Sequence, residues 1–144
     1  MKFKLEFTFD ISDSSLLIDA NDGRDEEYTS LEDVPEDTPV EEICRLVRQM
    51  GEHCLVFIVT GREGTAEVVD ATKEWLKKNE IPSDAMLFRP VGDYSPGPDC
   101  KRRIYEENIK GKYNVQFVLD DSSKCVKMWR EQGLICLQPN EGKF

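Results

Sequence analysis

Histidine is almost missing from this chain: His53 is the one copy in 144 residues. A nucleophilic triad or a histidine-built metal centre needs that residue far better placed than the link before the apolar run Leu55 to Val59. His53 is therefore read as a connector between a helix and a strand. Basic residues are scarce too, with 19 Lys and Arg against 29 Asp and Glu and a net charge of −10. Non-specific nucleic-acid binding draws on Lys and Arg to replace phosphate counterions, so the balance argues against it. A local basic patch from Arg62, Arg89, Lys101, Arg102 and Arg103 stays open. No apolar run approaches membrane-spanning length, and the N-terminal MKFKLEF alternates charge with apolar residues instead of forming a cleavable signal. The expectation is a cytoplasmic protein with no membrane partner. The five cysteines include no C-x-x-C pair, which sets aside zinc and dithiol redox work and leaves reduced core thiols. A G-x-x-x-x-G-K-[ST] loop is also missing, so these residues carry no kinase-type phosphate cradle.

What is present fits one domain spanning residues 1–144. Its 39% apolar content supplies a core, and its 33% charged content a well-solvated acidic surface. Five short apolar segments read as strands: Lys2 to Phe9, Leu55 to Val59, Ala85 to Phe88, Asn114 to Leu119 and Leu134 to Leu137. Four helices are expected between them. The first has a capping box of Thr38 and Glu41 and stops at Gly51; the others run from about Thr65 to Lys78, Asp99 to Ile109 and Ser123 to Gln132. Strict alternation of strand and helix predicts an α/β, three-layer Rossmann-like sandwich around a central parallel sheet of about five strands. Residues 11–37 break the alternation. They are rich in Asp, Glu and Ser and carry the NDG turn at Asn21 to Gly23, so a small flap or hairpin insertion is expected after the first strand, with no large cap domain.

In an open α/β sheet, ligands bind beyond the carboxyl ends of the strands. The residues there form a chemically consistent set: Asp10 after the first strand, Thr60 with Gly61 and Arg62 after the second, Asp120 and Asp121 after the fourth, and Lys101 at the start of the third helix. Such a set suits phosphoryl transfer through an aspartyl-phosphate. Asp10 would attack phosphorus, the carboxylates of Asp10, Asp120 and Asp121 would hold Mg²⁺, and Thr60 and Lys101 would bind phosphoryl oxygens. Each has a plainer reading as well: Asp120-Asp121-Ser122-Ser123 would equally start a helix, and strand-end Asp and Thr are common turn residues. The joint occurrence favours chemistry. A receiver-type signalling domain combines the same residue types, but in a different strand order.

The order Asp10, Thr60, Lys101, Asp120-Asp121 resembles the four motifs of the haloacid dehalogenase (HAD) superfamily. The resemblance is closer still to the 3′-phosphatase domain of bacteriophage polynucleotide kinase/phosphatases. VFIVTGRE, GDYSPGPDCKRRIY and VLDDSSKCVKMWREQGLICLQPNEGKF carry it, and NDGRDEEY resembles that family's arginine-bearing loop. The resemblance implies a HAD-like fold and a Mg²⁺-dependent phosphatase acting on a phosphorylated nucleic-acid end or a nucleotide. It also implies roles for Arg62, Arg24, Asp93 and Gly61 in contacting substrate or organising the site, and a Mg²⁺ contact from the Ser12 carbonyl. One departure bears on rate. Where the family has DxDxT, this chain reads Asp10-Ile11-Ser12-Asp13-Ser14, so Ser12 stands at the general acid/base position. Serine cannot shuttle that proton near neutral pH, and losing a positioned acid/base costs ~10²–10⁴-fold in rate. Asp13, one residue along, is the candidate substitute. Failing that, the expectation is a weakened or inactive HAD-like binding protein.

Overall fold

A computed structural model describes the backbone of residues 5–9 and the whole of residues 40–142. The expected flap over residues 11–37 lies outside the described residues, as do Asp10, Ser12, Asp13 and Arg24.

The elements alternate as the apolar pattern requires: β1 (Leu5–Phe9), α1 (Glu41–Gly51), β2 (Cys54–Glu63), α2 (Ala66–Lys78), β3 (Ala85–Arg89), α3 (Gly97–Asn108), β4 (Val115–Leu119), α4 (Ser123–Glu131) and β5 (Cys136–Leu137). The strands form one sheet in the order β3-β2-β1-β4-β5, and every pairing is parallel. The chain builds outward from β1 through β2 to β3, then crosses back to lay β4 and β5 on the other side. The change of direction leaves a crevice between β1 and β4, where an open α/β sheet binds its ligand.

Alternation along the strands divides the core into two layers. Cys54, Val56 and Ile58 of β2 pack with Cys44 and Val47 of α1, Trp75 and Leu76 of α2, Ile81 and Leu119. Phe57 and Val59, pointing the other way, join Cys100, Ile104 and Tyr105 of α3, Val118 of β4 and Cys125, Val126, Met128 and Trp129 of α4. Each fully buried apolar side chain of this size contributes roughly 1.5–3 kcal/mol relative to exposure. An edge-on contact between Tyr105 and Trp129, with ring centroids 5.9 Å apart, locks α3 to α4. All five cysteines are buried thiols, as their apolar settings suggest, and His53 sits exposed in the turn between α1 and β2.

Three boundaries depart from sequence expectation. The described part of α1 begins at Glu41, with Val40 as its N-cap and no side-chain capping bond; Thr38 lies outside the described residues. The expected capping box with Thr38 therefore falls outside the described residues, and Glu41 Oε1 accepts from Arg48 Nη1 at 2.8 Å. Helix α3 starts two residues early, at Gly97, because Pro98 near its first turn has the helical φ already set. The largest difference concerns β2. It does not stop at Val59 but continues through Thr60, Gly61 and Arg62 to Glu63. These three are expected from the sequence just past the strand's end.

Candidate active site

The extension of β2 is a bulge. Val59 pairs with Leu87 and Glu63 with Arg89, so β2 advances four residues while β3 advances two. The surplus backbone is held from two directions. Thr60 Oγ1 accepts from the Arg62 amide at 3.2 Å, and Arg89 Nε donates to the Gly61 carbonyl at 2.6 Å. Bulges re-aim side chains at strand ends. Here one keeps Thr60 and Arg62 fully buried at the carboxyl end of the sheet.

From the same guanidinium, Nη1 donates to the carbonyls of Asp93 at 3.2 Å and Ser95 at 2.5 Å. Arg89 therefore ties the bulge to the loop that follows β3. Within that loop Asp93 Oδ1 accepts from the Ser95 amide at 2.9 Å and the Ser95 hydroxyl at 2.6 Å, while Oδ2 accepts from Arg103 Nη2 at 2.8 Å. The Ser95 hydroxyl and amide, together with Arg103, hold the Asp93 carboxyl below its usual value. Asp93 thus organises the loop. The candidate basic patch does not form as an exposed surface: Arg62, Arg89 and Lys101 are buried, and Arg102 and Arg103 pair with Asp99 and Asp93.

The second half of the site lies where β4 meets α4. Lys101 reaches from α3 to place Nζ 3.0 Å from Asp120 Oδ2, with both side chains buried. Burial on its own works to lower the lysine's pKa. The fields of Asp120 and Cys125, the hydrogen bond to Asp120 and the field of Asp121 outweigh that and raise it, so the ammonium form is favoured. Asp120 Oδ2 also accepts from Trp129 Nε1 at 2.9 Å, and its Oδ1 from the Ser122 amide at 3.0 Å. Ser122, not either aspartate, provides the side-chain cap of α4, its Oγ accepting from Cys125 N at 3.4 Å. The plain reading of this segment as a helix start is therefore right, with Asp120 Oδ1 closing a turn onto the Ser122 amide and Ser122 capping the helix. The Asp121 carbonyl accepts from Gln138 Nε2 at 3.0 Å, and the same nitrogen donates to Ser123 Oγ at 3.1 Å.

The backbone brings the two halves to one place. Phe9, the last residue of β1, pairs with Ile58 on one side and Leu119 on the other, and Thr60 and Asp120 follow those partners within two residues. Among the described residues no three His, Cys, Asp or Glu side chains cluster to hold a metal ion. Asp120 and Asp121 are two hard carboxylates of the kind that Mg²⁺ takes, and Asp10 lies outside the described residues.

Residues 13–144 match the family described as the polynucleotide kinase PNKP phosphatase domain. The chain belongs to that family, within the HAD superfamily. Two solved structures are similar to it. The chain in "Structure of Pnkp1/Rnl/Hen1 complex" is 31% identical with a TM-score of 0.75, covering 98% of this chain and 47% of that one. The chain in "Structure of the Pnkp1/Rnl/Hen1 RNA repair complex" is 30% identical with a TM-score of 0.73, covering 98% and 43%. A putative bifunctional polynucleotide kinase/RNA ligase of Autographa californica nuclear polyhedrosis virus is 31% identical over 78 residues, 54% of this chain and 11% of that protein. This PNKP-type phosphatase domain thus spans less than half the length of each of these relatives.

Two residues of the domain's site escaped sequence reasoning. Trp129 lies within the helix expected over Ser123 to Gln132 and is buried there, yet its indole N–H also holds Asp120. A spacing of nine residues from Asp120 carries no signal by itself. Arg89 was counted as a surface cation. Its position at the end of an apolar strand, just before the loop Pro90-Val91-Gly92-Asp93, was the available hint that it turns inward.

Proposed function

We propose that this domain is a Mg²⁺-dependent phosphomonoesterase that acts through an aspartyl-phosphate on a polynucleotide 3′-phosphate or a nucleotide. The observation that carries the reading is the buried Lys101–Asp120 pair beside the β1/β4 crevice, level with the strand that Asp10 follows. Membership of the PNKP phosphatase-domain family and similarity to proteins named for polynucleotide kinase and RNA repair support the substrate class.

In this reading an Asp10 carboxylate oxygen attacks phosphorus, the phosphorus–ester oxygen bond breaks, and the departing alkoxide takes its proton from Asp13, the candidate substitute acid, which then accepts one from the attacking water. Water then attacks the aspartyl-phosphate, releasing inorganic phosphate and restoring Asp10. Thr60 Oγ1 already accepts from the Arg62 amide, so its hydroxyl hydrogen is left to donate to a phosphoryl oxygen. Lys101 orients Asp120 and offsets the acidic cluster. Arg62, Arg24 and Gly61 position the phosphate, and Asp93 holds the loop that borders it. Asp10, Asp120, Asp121 and the Ser12 carbonyl would hold Mg²⁺, which when bound draws charge from the phosphoryl oxygens.

A second reading follows from Ser12. With serine at the acid/base position and no replacement from Asp13, the domain binds a phosphorylated ligand without turning it over. One experiment separates the two: phosphate release from a 3′-phosphorylated oligonucleotide, mononucleotides and an aryl phosphate, in the parent, Asp10→Asn and Ser12→Asp. Metal-dependent release that Asp10→Asn abolishes supports the enzyme, and an Asp10→Asn protein as fast as the parent sinks the nucleophile assignment. A gain of ~10²-fold or more in Ser12→Asp over a nearly inert parent establishes the second reading.

A further inference from the structure

The loop between β3 and α3, Pro90-Val91-Gly92-Asp93-Tyr94-Ser95-Pro96, combines two properties that pull in opposite directions. Its backbone is pinned. Arg89 donates to two of its carbonyls, Asp93 closes a turn onto Ser95, and Arg103 bridges Asp93 and the Ser95 hydroxyl from the next helix. Its tip nevertheless exposes apolar side chains: Tyr94 is 86% and Val91 66% accessible. An exposed aromatic ring on an anchored loop costs little further ordering when something flat lies on it.

The loop's place says what that is. Its first end is Arg89, which also holds the bulge at Gly61. Its other end runs into α3, whose fifth residue is Lys101. The exposed ring is therefore carried on a short bridge between the two halves of the candidate active site. Resting on the phosphatase reading above, we propose that Tyr94 is a stacking platform for the terminal, unpaired nucleobase of a 3′-phosphorylated strand. Two exposed apolar side chains on a loop of Asp, Ser, Gly and Pro make too small a patch for a stable protein partner, whereas one base needs one ring. The charge balance points the same way. A surface at −10 has little capacity to grip phosphates along a strand, and stacking supplies affinity that draws on no positive charge.

The test uses Tyr94→Ala and Tyr94→Phe in the full chain. Hydrolysis of a 3′-phosphorylated single strand is compared with that of an aryl phosphate, and binding of an oligonucleotide ending in 3′-phosphorylated 2-aminopurine is followed by fluorescence. The preference for oligonucleotide over aryl phosphate is expected to fall about tenfold in Tyr94→Ala and to persist in Tyr94→Phe, with 2-aminopurine quenching lost only in the first. An equal loss on both substrates, unchanged oligonucleotide binding in Tyr94→Ala, or equal use of a blunt duplex end would each overturn the proposal. If no substrate releases phosphate while Tyr94-dependent quenching persists, the platform stands and the phosphatase reading falls.

Discussion

The two layers of the core solve different problems. Beneath α1 and α2 the sheet meets Cys44, Val47, Trp75 and Leu76, and neither helix places a charged side chain in the buried set. Beneath α3 and α4 the cluster of Tyr105, Val126 and Trp129 surrounds Lys101 and Asp120, two charges held out of water at 3.0 Å. A buried ion pair rarely improves on well-packed apolar residues, because desolvation offsets most of the attraction. Among the described residues such a pair stands in one layer and not in the other, which marks the layer where stability was set aside for another purpose.

The sharpest way to break this contrast is to remove one partner. Lys101→Met should lower stability in urea by ~3–5 kcal/mol, since it strands a buried carboxylate. Adding Asp120→Asn should recover part of that loss, because the stranded charge is gone and the amide oxygen can still accept from one of the two donors, Ser122 N or Trp129 Nε1. A single variant as stable as the parent would show that the pair is not held as described. In the opposite layer Leu76→Ala should cost about 3 kcal/mol through the cavity it leaves, yet any phosphate release per folded molecule should stay within about twofold of the parent. A marked fall in rate would mean that the α2 layer takes part in the chemistry.

The smallest effect belongs to the loop. Asp93 has its carboxyl below the ordinary 3.8 in the folded protein, so its stabilisation is present above that value and is lost as pH falls through the folded pKa. Asp93→Asn should flatten the acid side of the stability profile, read as denaturation midpoints between about pH 2 and about pH 6. A profile unchanged by the substitution would show that the Ser95 and Arg103 contacts contribute nothing in solution.

Much of this architecture was legible in the chain. The α2 helix appears at Ala66–Lys78 with Thr65 as its cap, because apolar spacing and a capping residue agree there. Asp120, Asp121 and Lys101 were readable as site candidates from the rule that strand ends face the ligand. The bulge at Thr60 was not. A glycine after a threonine reads as a turn, and the surplus pairing with β3 depends on Arg89, twenty-eight residues away and visible only in three dimensions. Trp129 failed for the complementary reason, since one side chain filled the core and oriented a carboxylate, and periodicity reports only the first of these.

The five buried thiols have a practical consequence. Desolvation raises the pKa of Cys44 and Cys100 and pushes Cys125 up to about 11 and Cys136 to about 12. Thiolate, the form that alkylating reagents consume, is thus suppressed while the core is shut. Cysteines stand in both layers, so labelling measured cysteine by cysteine becomes a native clock for how often each side of the sheet opens.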